Sequence, residues 1–220
     1  MEKIVAIIQA RLTSARFPNK IIQKFNHETL IEFLVERVKA SKKIDRVVVA
    51  APNNNENKIV KKYLKNVDIF LGSENDVLDR YYKAAKKFNA KTIVRICGDC
   101  PFVDPVIIDK LLLLINNGDY DYVSNTIKRT FPDGLDVEVF SFDVLEKAWK
   151  LAKFKHEREH VTPYILKNKK FKKYNYAFKK DLSKLRLTID EKIDLKQLKT
   201  IYPYLKNNKK FGIDEIHKLY

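Results

Sequence analysis

The amino-acid sequence predicts an α/β fold whose central sheet is mostly parallel and covered by helices on both faces. Short apolar runs, of which residues 4–8 are the first, are continuous rather than alternating, which is typical of strands buried on both faces. Segments with helical spacing follow these runs through about residue 117, and such alternation is typical of parallel sheets with right-handed crossovers. Hydrophobic residues make up 45% of the 220 residues, so the chain can bury a sizeable core.

The clearest elements lie in the first half of the chain. Apolar runs predict strands at residues 4–8, 46–51, 67–71 and 92–96. Helical periodicity predicts helices at residues 28–39 and 57–64, from Asp76 to about residue 88, and at residues 105–116. Ser73, three residues before Asp76, resembles a helix N-terminal cap, and Pro105 suits a first helical turn.

The second half of the chain has weaker patterns. It predicts strands at residues 120–124, 136–140, 174–178 and 185–189, and helices at residues 142–152, 157–168, 191–206 and 213–219. A small arm or lid is predicted near residues 125–180. There is no Gly/Ser-rich linker and no internal repeat, so we expect one domain spanning residues 1–220.

The charge balance is strongly basic, with 44 Lys+Arg against 28 Asp+Glu and a net charge of +16. A basic nucleic-acid-binding module is therefore one hypothesis. Lysine supplies most of the charge in scattered pairs, which biased composition also explains. Two cysteines exclude a disulfide-stapled secreted scaffold. No apolar run approaches the ~20 residues of a membrane span, and no signal peptide is predicted, so we expect a cytoplasmic protein.

The loop after the first predicted strand carries the first chemical signal. Binding sites in parallel sheets form at the carboxyl ends of the strands. This loop contains Arg11, Arg16 and Lys20 together with the hydroxyls of Thr13 and Ser14. Cations and hydroxyls at a strand end suit a polyphosphate, although the glycines of a P-loop are missing. A solvated basic loop is the alternative.

Two carboxylates also follow predicted strands. Asp99 comes just after residues 92–96, and Asp190 ends the run 185–189. Such carboxylates can converge on one Mg²⁺, which takes a few carboxylates plus phosphate oxygens of a substrate. The alternative is that each Asp caps the helix that follows it.

Several segments together resemble a known family. The first loop matches the pattern Ala-Arg-x-x-Ser-x-Arg-x-Pro-x-Lys of the CMP-sugar synthetases, which make CMP-KDO and CMP-sialic acids. The chain is most similar to the spore-coat polysaccharide biosynthesis protein F subfamily. That similarity includes the first loop and residues 76–82, 95–105, 132–138, 159–164 and 185–190.

The resemblance implies a cytidylyltransferase with a Rossmann-like nucleotidyltransferase sheet, usually dimeric. It would transfer CMP from CTP to an acidic or phosphorylated sugar with release of pyrophosphate, for surface polysaccharide synthesis. Mg²⁺ would be the cofactor, and the polyanion would be a nucleotide rather than a nucleic acid. Another nucleotide, or a non-sugar phosphate acceptor on the same scaffold, is the alternative. The acceptor itself stays open.

The resemblance also assigns roles by position. Arg11, Arg16, Lys20 and Asp99 would be catalytic, with Asp99 and Asp190 as the Mg²⁺ ligands. The predicted nucleotide-binding residues are Gln9, Ala10, Arg11, Ser14, Arg16, Lys20, Ala51, Arg80, Arg95 and Asp99. Weaker acceptor-binding candidates are Asp136, Glu138, Arg158 and His160. Asp136 and Glu138 alternate along a predicted strand, so a solvated strand face is the alternative for that pair.

Two short motifs point to other chemistry. Residues 156–160 read His-Glu-Arg-Glu-His, which matches the H-E-x-x-H of zinc proteases. Charged residues at both x positions and Pro163 shortly afterwards argue against that interpretation. Cys97 and Cys100 form a C-x-x-C without a second pair for a structural zinc site. We expect Cys97 to act as a small apolar residue at a strand end.

Overall fold

The computed structural model describes residues 3–205 and 211–220. Its strands are β1 (Ile4–Gln9), β2 (Lys24–Phe25), β3 (Glu28–Thr29), β4 (Arg46–Pro52), β5 (Asp68–Gly72), β6 (Thr92–Cys97), β7 (Tyr122–Ser124), β8 (Glu138–Ser141) and β9 (Lys173–Asn175). Its helices are α1 (Leu30–Lys39), α2 (Asn55–Lys58), α3 (Val60–Tyr63), α4 (Val77–Lys87), α5 (Pro105–Asn117), α6 (Phe142–Leu151), α7 (Lys155–His160), α8 (Pro163–Lys167), α9 (Lys192–Ile201) and α10 (Ile213–His217).

Seven strands form the central sheet in the order β5-β4-β1-β6-β8-β7-β9. β1 lies between β4 and β6 and is parallel to both, and β4 is parallel to β5. β8 is antiparallel to β6 and β7, whereas β9 is parallel to β7. The predicted α/β fold with a mostly parallel sheet is therefore confirmed. The segment near residues 125–180, for which an arm or lid is predicted, contributes β8 and β9 to this sheet.

Helices cover both faces of the sheet because its central strands are apolar on both sides. One core joins Ala6 and Ile8 of β1 to α1, α3, α5, α9 and α10. The other joins Val5 and Ile7 to α4, α6 and α8. Successive strand side chains point to opposite faces, so β1 feeds both cores. No helix in the described part of the chain is long and apolar enough to cross a bilayer.

Several predicted elements differ from the structure. The segment 185–189 forms no strand; Arg186 makes only an isolated bridge to Asp133, while the apolar side chains of Leu187 and Ile189 pack in the core. The helix predicted at residues 157–168 is two helices, because Val161 has a φ of 71° and Pro163 starts a new turn.

The helix predicted at residues 57–64 is likewise two short helices, α2 and α3. The small β2–β3 hairpin was not predicted, although Asn26, with a φ of 56°, favours such a turn. The predicted helix 191–206 is α9 followed by a 3₁₀ turn, Tyr202–Leu205, and its last residue lies outside the described residues.

A buried arginine anchors the C-terminal segment to the core. Arg37 is fully buried and donates hydrogen bonds to the carbonyl oxygens of Val103 (2.9 Å) and Phe211 (2.8 Å). Its guanidinium also lies 3.8 Å from the centre of the Phe211 ring. Burial lowers the pKa of Arg37 to about 10, although nearby Asp104 opposes that shift. Arg37 therefore joins α1, the loop after β6 and the C-terminal segment.

Replacing Arg37 with Met should lower the free energy of unfolding by about 2–4 kcal/mol, because several buried carbonyls lose their donor. Chemical denaturation measures this change. Arg46→Met is the matched control, since Arg46 pairs with Asp68 where both side chains are 38% exposed. That substitution should cost less than about 1 kcal/mol. Equal losses in the two variants would contradict an anchoring role for Arg37.

Candidate active site

A cavity of about 310 Å³ opens at the carboxyl ends of β1, β5 and β6. It is lined by Gln9, Ala10, Arg11, Ser14, Ala15, Arg16, Lys20, Ile21, Glu74, Val77, Arg80, Gly98, Asp99, Glu159, His160 and Asp190. Its position agrees with the general rule for ligand sites in parallel sheets.

A buried ammonium group organises one wall of this cavity. Lys20 is only 7% exposed. Its Nζ donates hydrogen bonds to Asp99 Oδ2 (2.9 Å), to the Ile189 carbonyl oxygen (2.7 Å) and to Asp190 Oδ1 (3.2 Å). Three bonds use the full donor capacity of an ammonium group. Lys20 thus brings two carboxylates together that lie 91 residues apart in the sequence.

The first loop is held in place by polar contacts behind the cavity. The Leu12 amide donates to Asn57 Oδ1 (2.8 Å), and the Thr13 hydroxyl donates to Glu74 Oε1 (2.9 Å). Asn54 Nδ2 donates to the second oxygen of Glu74 at 2.9 Å. Asn19 adopts a left-handed conformation with a φ of 59° and starts the 3₁₀ turn that carries Lys20. The loop is therefore preorganised rather than a loosely solvated basic segment.

Asp190 receives cations from three directions. Arg16 Nη2 lies 3.0 Å from Asp190 Oδ1, and Arg186 Nη2 lies 2.6 Å from Oδ2. Partial burial alone would raise the pKa of Asp190. The hydrogen bond from Arg186 and the charges of Lys20 and Arg16 outweigh burial and hold that pKa below its ordinary value. Asp190 is therefore an anion at neutral pH.

The carboxylates fit a divalent cation only in part. Asp99 and Asp190 both bind the Nζ atom of Lys20, so their oxygens converge on one point, which that ammonium group occupies. The described residues contain no group of three or more His, Cys, Asp or Glu side chains that could hold a metal. Mg²⁺ is commonly held by one or two carboxylates plus substrate phosphates. The donor set therefore suits a Mg²⁺ that arrives with a phosphate ligand.

Arg80 forms part of the opposite wall. It is 3% exposed and donates from Nη1 to the carbonyl oxygen of Ser73. Burial lowers its pKa, and the nearby charge of Arg11 adds to that effect. Arg80 Nε has no hydrogen-bond partner among the described residues. A buried guanidinium beside Arg11 makes this wall strongly favourable for an anion.

The structure brings most of the predicted site residues into this one cavity. The predicted residues that line it are Gln9, Ala10, Arg11, Ser14, Arg16, Lys20, Arg80, Asp99, His160 and Asp190. The predicted residues outside the cavity lining are Ala51, Arg95, Asp136, Glu138 and Arg158.

The residues outside the lining have partners within the protein. Ala51 is fully buried in β4. Asp136 precedes β8 and makes two hydrogen bonds with Arg129, at 2.5 and 2.8 Å. Arg158 binds Asp76, the N-cap of α4, with Nη2 at 2.6 Å. These contacts position α4 and the segment before β8.

Glu138 departs from the prediction of a solvated strand face. It is 5% exposed and accepts hydrogen bonds from Arg95, Tyr122 and Thr162. Asp136 and Glu138 do not share a strand, because β8 begins at Glu138. Asp136 lies in the loop before that strand, so the strand predicted from residue 136 begins two residues later.

Sequence reasoning missed some lining residues, of which Glu74 and Gly98 are the most informative. Glu74 follows β5, so the strand-end rule alone would find it. Gly98 allows close approach of two strands' ends, because a Cβ atom there would lie 2.6 Å from the Gln9 carbonyl oxygen. The amide of Gly98 donates to that same oxygen at 2.8 Å. Its signal is a glycine directly after a buried strand.

The two competing motifs have structural explanations. Glu157 is buried and accepts hydrogen bonds from the amides of Lys153 and Phe154, so it caps the start of α7. Cys97 and Cys100 are free thiols. Burial raises the pKa of Cys97 to about 11, which disfavours the thiolate that redox chemistry requires.

Comparisons with known proteins agree with this geometry. A family model described as cytidylyltransferase matches residues 5–219. The spore coat polysaccharide biosynthesis protein SpsF of Bacillus subtilis (strain 168) is 30% identical over 214 residues, covering 92% of this chain and 87% of that protein.

Two solved structures share the fold. A cytidylyltransferase from Leptospira borgpetersenii serovar Hardjo-bovis (strain JB197) superposes with a TM-score of 0.93 at 38% identity, covering 100% of this chain and 94% of the other. A CMP:2-keto-3-deoxy-manno-octonic acid synthetase complexed with CTP gives a TM-score of 0.72 at 14% identity, covering 92% and 99%. The second likeness concerns the fold alone.

Because the pKa of Asp190 is lowered in the folded protein, Asp190 should stabilise the protein less as the pH falls. The Asp190 carboxylate takes up a proton less readily in the folded protein than in the unfolded chain. The stabilisation that the ionised Asp190 provides is therefore present above the ordinary Asp pKa and is lost as the pH falls below it. The Tm difference between wild type and Asp190→Asn should therefore shrink as the pH falls from about 6 to about 3. Asp68→Asn, at a surface pair, is the control. A difference that grows on acidification would contradict the cation-held carboxylate.

Proposed function

This chain belongs to the cytidylyltransferase family, and on that premise we propose that it transfers CMP from CTP to an acidic or phosphorylated sugar and releases pyrophosphate. Mg²⁺ would bind at Asp99 and Asp190 together with the nucleotide phosphates. The observation that carries the proposal is the cluster of Lys20, Asp99 and Asp190, with Arg16 paired to Asp190, in one cavity. The name of the Bacillus subtilis relative supports a role in polysaccharide synthesis, and the CTP-bound neighbour supports CTP.

The proposed reaction needs the residue types that the cavity supplies. An acceptor oxygen attacks the α-phosphorus, the bond from that phosphorus to the bridging oxygen breaks, and pyrophosphate leaves with the electron pair. Arg11 and Arg16 would orient the triphosphate, and together with the charge of Lys20 they would balance the charge that develops on pyrophosphate. When bound, Mg²⁺ supplies further charge neutralisation at the phosphoryl oxygens.

Other parts of the cavity would bind the rest of the substrates. Arg80, buried next to Arg11, would contact the nucleotide, with Gln9, Ala10 and Ser14 beside it. His160 lies on the α7 side of the same cavity and would face the acceptor. The whole chain would act as one nucleotidyltransferase domain in the cytoplasm, and the family resemblance implies a homodimer.

Asp99→Asn should reduce pyrophosphate release from CTP roughly 10²–10³-fold, because one of the two carboxylates that would hold Mg²⁺ at the reacting phosphate is lost. The assay measures pyrophosphate with Mg²⁺ and a panel of sugar acids and sugar phosphates as acceptors. Asp68→Asn is the matched control, since its carboxylate pairs with Arg46 at the amino ends of β4 and β5, opposite the strand ends at which the cavity opens. Normal turnover by Asp99→Asn would overturn the metal assignment.

A thermal-shift screen tests the nucleotide base. CTP with MgCl₂ should raise the Tm more than UTP, GTP or ATP do, because the nucleotide that binds most tightly stabilises the folded protein most. A ligand at 100 times its Kd stabilises a protein by about 2.7 kcal/mol. Omitting MgCl₂ should reduce the shift, because the two carboxylates then meet the phosphates without a bridging cation. Equal Tm shifts with all four nucleotides would contradict the assignment of CTP, and a larger shift with another nucleotide would favour the same scaffold with that base preference.

A further inference from the structure

A buried polar network lies directly behind the cavity wall, on the face of the sheet that α4 covers. β1, β6 and β8 are neighbours, with Gln9 opposite Cys97 and Arg95 opposite Glu138. Arg95 binds Glu138 with Nη1 and Gln9 Oε1 with Nη2, the latter at 3.2 Å. Gln9 lines the cavity, whereas Arg95 and Glu138 do not. The network therefore ends in a side chain that a ligand can touch.

Glu138 is the fixed end of this network. Its carboxylate accepts hydrogen bonds from Arg95, from the Tyr122 hydroxyl and from the Thr162 hydroxyl, the last at 2.7 Å. Burying an ion pair costs desolvation energy, and the cost is offset only where hydrogen bonds satisfy the remaining lone pairs. Here two hydroxyls satisfy the Glu138 carboxylate, which binds Arg95 Nη1, while Arg95 Nε has no hydrogen-bond partner among the described residues.

The chemistry of arginine then fixes the Gln9 amide. A guanidinium has donors and no acceptor, so Gln9 must turn its Oε1 toward Arg95. Gln9 Nε2 is left with two N–H groups, and these have no partner within residues 3–205 and 211–220. The amide therefore offers a donor, not an acceptor, to a molecule in the cavity.

A strained turn at Val161 holds the part of the network that contacts Glu138. Val161 is fully buried, with a φ of 71° and a ψ of −55°, and the Thr162 amide donates to the His160 carbonyl oxygen at 2.9 Å. This is a γ-turn of the positive-φ kind, which is rare and strained for a β-branched residue. Such strain persists only where surrounding contacts hold it. Here the turn carries Thr162 onto Glu138 and places His160 at the cavity.

We propose that the buried Arg95–Glu138 pair is a positioning device that acts through Gln9, presenting Gln9 Nε2 as a hydrogen-bond donor to CTP. The inference rests on the proposed function. Arg95 and Glu138, which the sequence suggested as ligand-binding residues, are positioning residues in this account, and Gln9 makes the contact.

A double-mutant cycle on CTP affinity tests the proposal. Titration calorimetry with MgCl₂ compares wild type, Gln9→Leu, the pair Arg95→Met/Glu138→Leu, and all three substitutions together. The paired substitution removes both buried charges, because Arg95→Met alone would leave Glu138 unpaired and endanger folding. Gln9→Leu should weaken CTP binding by about tenfold, the size of one lost hydrogen bond. The paired substitution should also weaken CTP binding, by up to a similar factor, and unchanged affinity in this pair would overturn the positioning role.

The decisive measurement is the CTP affinity of the triple variant. If Arg95 acts only through Gln9, the triple variant should bind CTP within about twofold of Gln9→Leu, since coupled residues give non-additive losses. Multiplied losses in the triple variant would overturn the proposal, because Arg95 would then affect CTP by another route. A Gln9→Leu variant with unchanged affinity would overturn it as well.

Gln9→Glu provides a second, independent variant. Its carboxylate still accepts from Arg95 but replaces the Nε2 donor with an anionic oxygen. CTP binding should fall further than in Gln9→Leu, and wild-type affinity would overturn the proposal. Gln197→Leu, on the exposed face of α9, and Arg46→Met are the matched controls and should leave CTP affinity unchanged.

Titration of the wild-type protein with CTP distinguishes failure of the proposed function from failure of the positioning role. Wild-type protein that binds no CTP overturns the proposed function, and this inference with it. Wild-type binding combined with additive losses overturns the positioning role alone.

Discussion

The cavity depends on one buried ammonium group. Lys20 Nζ holds Asp99, Asp190 and the Ile189 carbonyl oxygen within hydrogen-bonding distance, although these groups come from distant parts of the chain. Without a cation between them, two converging carboxylates would repel, and one would take up a proton. The first loop, the end of β6 and the segment before α9 are thus joined by a single charge.

The segment that carries Asp190 is placed by contacts rather than by a strand ladder. The Ile189 amide and the Thr188 hydroxyl both donate to the Asp99 carbonyl oxygen, at 2.8 and 3.1 Å. Gly134, with a φ of 107°, lets its own loop approach so closely that a Cβ atom would lie 2.5 Å from the backbone of Leu187. Any larger residue there would push the segment away from Asp99. The two carboxylates therefore keep their separation through backbone packing as well as through Lys20.

Much of the site was predictable from local patterns and from the family resemblance. The first loop and Asp99 follow strands, whereas Asp190 follows an apolar run that forms no strand, and all of them reach the same cavity. Arg95 and Glu138 were predicted as ligand-binding residues, but they lie behind the wall and bind each other. The sequence pattern alone can place Arg95 and Glu138 on strands of the same sheet, but no more than that. It does not say which side chain stands between them and the cavity, and here that side chain is Gln9.

The sequence by itself determined the α/β fold, the order of the early strands and helices, and the basic loop at the end of β1. These features depend on hydrophobic periodicity and on local turn chemistry, which neighbouring residues encode. Only the tertiary structure decided that Lys20 is buried between two carboxylates, that residues 185–189 form no strand, and that Val161 adopts a strained turn. Each of these depends on partners far along the chain, and the energy of such contacts exists only after the sheet has brought them together.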